Sequence, residues 1–99
     1  MVRNFNVTVT AAGTAQALAA SRTPASWALI QAAKGNAGSV YIGGAGITAG
    51  TTTTNGIELA KGDTISLPAM GITEPYDLAT VFVNADTNSD KVRVIYGRA

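Results

Sequence analysis

Phe5-Asn6-Val7-Thr8-Val9-Thr10 alternates apolar and polar side chains without a break. Successive side chains of a strand point to opposite faces, so Phe5, Val7 and Val9 line one side of an extended segment. This is the pattern of a half-buried β-strand. Near the other end Val92-Arg93-Val94-Ile95-Tyr96 has the same period, with Val92, Val94 and Tyr96 on one face.

Between these runs lie further short extended segments. Pro24 fixes the backbone ahead of Ser26-Trp27-Ala28-Leu29-Ile30-Gln31-Ala32-Ala33, and Lys34-Gly35-Asn36-Ala37-Gly38 is turn chemistry. Val40-Tyr41-Ile42 follows, so strand, turn, strand is expected, with Asn36 and Gly38 able to take positive φ. Ala15 to Leu18 reads as a short strand or one helical turn, and Ile47 as the start of a short return. Thr51 to Thr54 reads as an exposed loop or an edge strand. Ile57-Glu58-Leu59 and Thr64-Ile65-Ser66-Leu67 flank Lys61-Gly62-Asp63, a hairpin or a tight corner. Met70 to Tyr76 is read as a loop, Leu78 to Val83 as a strand and Asn84 to Asp90 as a polar turn. About eight short strands with turns every 8–12 residues predict an all-β fold, an antiparallel, jelly-roll-like β-sandwich. Ninety-nine residues make one domain, 1–99, with residues 1–12 a candidate strand-forming N-terminal arm.

Composition narrows the functions. There is no histidine and no cysteine, which removes the commonest general base, the commonest metal ligand and the best nucleophile. The six acids, Glu58, Asp63, Glu74, Asp77, Asp86 and Asp90, read as solvated turn or outward strand residues. Asp86-Thr87-Asn88-Ser89-Asp90 resembles the opening of a Ca²⁺ loop, but the required glycine position is Lys91 and the bidentate glutamate position is Gly97. Gly43-Gly44-Ala45-Gly46 lacks the Lys-Ser/Thr pair of a phosphate loop and reads as strand termination or close backbone approach. No catalytic residue, metal site or cofactor is expected, and an enzyme is the weakest reading.

Charged residues are 13% of the chain, against about 25% in a typical domain, and the net charge is +1. So few charges leave the surface poorly defended against association, which suggests that part of it is covered in the working state. Arg3, Arg22, Lys34, Lys61, Lys91, Arg93 and Arg98 are too scattered for a nucleic-acid face. No apolar run approaches the ~20 residues of a membrane span, and Met1 to Asn6 shows no signal-peptide core. Neither a nucleic acid nor a membrane is expected as a partner. Candidate interface residues are Arg3 and Phe5 on the first strand, Arg22 and Trp27 beside Pro24, and Tyr76 in the loop with Pro75. Trp27 also reads as a core anchor.

Read in order, Trp27-Ala28-Leu29-Ile30-Gln31-Ala32, Val40-Tyr41-Ile42-Gly43-Gly44, Gly56-Ile57-Glu58-Leu59-Ala60-Lys61-Gly62-Asp63-Thr64-Ile65, Asp77-Leu78 and Val92 to Tyr96 resemble small structural proteins of tailed bacteriophages. The resemblance spans about three-quarters of the chain. It implies a head decoration, or cement, protein that oligomerises as a homodimer or homotrimer. Its partner would be the major capsid protein, bound on the outer capsid face across seams between capsomers. Such a protein is made in the host cytoplasm and ends on the virion. A head–tail, tail or fibre-base component is the alternative within the same class. A carbohydrate-binding, adhesin-like module is the alternative outside it.

Overall fold

The computed structural model describes residues 2–49, 56–67 and 76–97. The strands are β1 (Val2–Thr8), β2 (Gln16–Ala17), β3 (Pro24–Ala25), β4 (Trp27–Ala32), β5 (Val40–Gly43), β6 (Ile57–Leu59), β7 (Thr64–Leu67), β8 (Tyr76–Asp77), β9 (Phe82–Ala85) and β10 (Lys91–Gly97). They form two four-stranded antiparallel sheets, β1-β10-β4-β7 and β2-β9-β5-β6, and a two-stranded sheet of β3 and β8.

Leaving out the small β3–β8 pair, the first sheet carries main strands one, eight, three and six in that order. The second carries two, seven, four and five. That is the strand order of a jelly roll, two Greek keys folded into a sandwich. Among these main strands, only β5 and β6 are sequence neighbours within one sheet; every other step crosses to the opposite sheet. The segment around Lys61-Gly62-Asp63 is therefore a corner between sheets, with Gly62 at φ 85°. Trp27 to Ile42 is likewise a crossing.

The period-2 faces meet in the middle. Val7, Ala28, Ile30, Ala32, Val92 and Val94 from the first sheet pack with Val40, Ile42, Leu59, Val83 and Ala85 from the second. Leu18 and Leu78 close the core from the connections. Phe5 and Tyr96 meet edge to face at its margin, ring centroids 5.8 Å apart.

Several local expectations change. Within residues 15–18 the structure has a two-residue strand, β2 (Gln16–Ala17), and no helical turn. Ile47 is buried in a loop rather than starting a strand. Leu78–Thr80 is a 3-10 helix, because Asp77 caps it through Ala79 N–H, and the strand starts only at Phe82. Asn36 and Gly38 do not take positive φ; among described non-glycine residues that conformation belongs to Ser89. Asp90 is buried, because its carboxylate accepts from Ala37 N–H and Gly38 N–H, 2.9 Å each. The segments 51–54 and 70–75 lie outside the described residues.

Candidate functional interface

The two sandwich faces differ. Outward-pointing residues of the second sheet, Tyr41 and Asn84, are fully buried by the protein's own loops. Tyr41 donates its hydroxyl to Asp86 at 2.8 Å. Asn84 accepts from Gly13 N–H and Ala85 N–H and donates to the Ile47 carbonyl. The side chain of Ile47 lies where a Cβ on Gly43 would stand, so the close approach at this glycine is made by a side chain rather than by backbone.

The first sheet has the opposite character. Cross-strand partners share a face, so the outer rows follow from the register. One row runs Val2, Gly97, Trp27, and the next runs Asn4, Ile95, Leu29, Ser66. A third runs Asn6, Arg93, Gln31, Thr64. Leu29 and Ile95 are each 38% exposed and Val2 62%. Leu29 and Ile95, together with Asn4, Asn6, Gln31, Thr64 and Arg93, line a shallow depression of about 240 Å³. Its floor is apolar, its rim is amide and hydroxyl, and it carries one cation, Arg93. That composition suits contact with another polypeptide.

The five sequence-derived candidates lie on β1, ahead of β3, at the start of β4 and on β8. Arg3 and Phe5 lie on β1, Arg3 exposed and Phe5 turned to the core margin. Trp27 opens β4, half-buried on the outer face. It stands opposite Gly97 and fills the space a side chain there would need. Arg22 is exposed ahead of β3, and Tyr76 is half-buried on β8 opposite Ala25. The β3–β8 pair is held by Asp77, which accepts from Thr23 N–H at 3.0 Å and Ala79 N–H at 3.0 Å. These two backbone donors hold its carboxyl below the ordinary range, with Arg22 adding a smaller pull. Leu29 and Ile95 were not among the candidates, although they form the centre of the bare face.

Asp86 to Asp90 connects β9 and β10 and fastens loops. Asn88 accepts from Ala12 N–H at 2.7 Å. Next to it Asn36 exchanges two 2.8 Å bonds with the backbone of Lys91, so its side-chain amide acts like a neighbouring strand residue. Among the described residues no helix is long and apolar enough to cross a membrane.

No family model matches the sequence, and no curated protein matches it. Among solved structures the chain is similar to one from Bacillus endospore appendages, described as a novel family of disulfide-linked pili. Identity is 17%, over 100% of this chain and 88% of that one, with a TM-score of 0.42. A likeness that low argues neither for a shared fold nor for a shared role.

Proposed function

We propose that this chain is a non-enzymatic structural protein of a tailed-phage virion, which binds the outer surface of the capsid and reinforces contacts between capsomers. The observation that carries the reading is the asymmetry of the sandwich. On one outer face Tyr41 and Asn84 are covered by the protein's own loops; the other presents Leu29, Ile95, Val2 and Trp27 with a polar rim whose one cation is Arg93. Large exposed apolar residues gathered on one sheet face mark an interaction surface. The capsid as partner comes from the order of sequence segments shared with phage structural proteins. Docking of many copies turns individually weak contacts into firm attachment.

The test uses capsids that lack the protein. Purified chain added to them co-sediments and appears at capsomer seams in images. Leu29→Lys with Ile95→Lys abolishes the coating while the fold persists. Full coating by the folded double variant would overturn the assignment of this face. Attachment at the tail or the portal vertex would move the protein to the head–tail reading.

A further inference from the structure

The edge of β1 offers a second, independent surface. Val9 donates its N–H to the Asp90 carbonyl and accepts from Ser89 N–H, each at 2.8 Å. In an antiparallel ladder residues alternate between bonding inward and outward. Val9 bonds toward β10, so Val7, Phe5 and Arg3 do too, and Val2, Asn4, Asn6 and Thr8 turn their N–H and C=O to the open edge. An independent contact agrees: the side chain of Gln16 donates to the Thr8 carbonyl at 3.0 Å and accepts from Thr10 N–H at 3.4 Å. Gln16 thus closes the edge at Thr8, and β1 is otherwise an outer strand among the described residues. Among the described residues the outward backbone groups of Val2, Asn4 and Asn6 have no ladder partner, the usual template for strand addition.

We propose that this edge receives β1 of a second copy, antiparallel about a two-fold axis at Asn4. Self-pairing restricts the register. Centring on Arg3 would set the two cations directly opposite each other, which disfavours pairing. Centring on Phe5 or Asn6 would require the Thr8 backbone, which Gln16 already holds. Centring on Asn4 sets Val2 opposite Asn6 and Asn4 opposite its own copy, and each of these pairings exchanges bonds in both directions. Arg3 of either copy then faces Phe5 of the other, a cation beside an aromatic ring. The product is a continuous eight-stranded sheet, in which the row Leu29, Ile95, Asn4 runs across the axis into its copy. This rests on the proposed docking face only in that pairing doubles it; the pairing itself is read in solution without capsids.

The experiment is native mass measurement and sedimentation of the full chain over a concentration series. The unsubstituted protein is expected to dimerise. Asn4→Pro removes an N–H that faces outward, which an edge strand tolerates, and should weaken the dimer about 10-fold or more with the fold intact. In the cysteine-free chain, Asn4→Cys puts two thiols on residues directly opposite, at a Cα separation of about 5.5 Å, within disulfide range. Diamide should then yield a covalent dimer, whereas Lys34→Cys should not cross-link. Should Asn4→Pro misfold, the cysteine result decides. A monomer at every concentration, or a dimer that survives Asn4→Pro and leaves Asn4→Cys uncross-linked, would overturn the pairing. Capsid coating by a protein that stays monomeric would sink this inference alone; a dimer that ignores capsids would sink the docking role alone.

Discussion

The indole of Trp27 occupies the place of a side chain at position 97: a Cβ on Gly97 would lie 2.5 Å from its Nε1. Gly97 and Trp27 are cross-strand partners on the outer face, so the glycine is what lets the ring lie over β10. Gly97→Ala forces the ring off its site and is expected to destabilise the fold by about 1–3 kcal/mol. Chemical denaturation checks this, with Trp fluorescence as the probe. Combined with Trp27→Ala the penalty should shrink, since neighbouring changes are not additive.

Ser89 holds φ at 72° where β1 meets the β9–β10 connection. Its N–H and the Asp90 carbonyl both bond Val9, so two residues oppose one in a β-bulge. Left-handed backbone costs a non-glycine residue about 1–2 kcal/mol. Ser89→Gly removes that strain and is offset in part by the freer unfolded chain. A net gain of about 0.5–1 kcal/mol is expected from urea denaturation.

Asp90 is 4% exposed and joins β10 to the β4–β5 connection through Ala37 and Gly38. Asp90→Ala strands both amides and should cost about 2–4 kcal/mol. Asp90→Asn keeps one acceptor and should cost less. Equal losses in thermal unfolding would show that the amides do not depend on this side chain.

Asp77 has its carboxyl depressed below its usual 3.8 by Thr23 and Ala79 N–H donors. A folded pKa below the unfolded one adds stability that is present above about pH 4 and fades as pH falls through the folded value. The urea midpoint should therefore drop on acidification, and Asp77→Asn should flatten part of that drop. A profile unchanged by the substitution would assign the acid sensitivity elsewhere.

Leu29 and Ile95 face outward, so their replacement by lysine should leave unfolding free energy within about 0.5 kcal/mol of the parent. Binding to capsids should fall about 10-fold or more. A large loss of stability would mean that the two side chains serve the fold rather than a partner.

The strands were readable wherever one face alone is buried. Phe5 to Val9 and Val92 to Val94 alternate cleanly, and both runs lie in strands or lead directly from one. Pairing was less readable, because β1 to β10 and β4 to β10 join residues far apart in sequence, and local turn chemistry carries no such information. Leu78 looked extended by composition, yet Asp77 turned it into a 3-10 cap by a side-chain bond that apolar periodicity does not register. Leu29 and Ile95 were hidden for a related reason: each sits inside an unbroken apolar run, Ala28-Leu29-Ile30 and Val94-Ile95-Tyr96, where no polar neighbour marks the outward position. Residue type alone left Trp27 open between core anchor and interface anchor, and it lies half-buried at the start of β4.

The position of β10 bears on how the protein is made. Though it is synthesised after every other strand described, it occupies an interior place between β1 and β4. A nascent chain on the ribosome holds both flanking strands but lacks the wedge between them. Collapse of the first sheet must therefore wait until β10 has been made, and closure across nearly ninety intervening residues makes it slow. During that interval Val7 and Ile30 have no shelter, so crowded synthesis at high temperature should favour inclusion bodies over native protein.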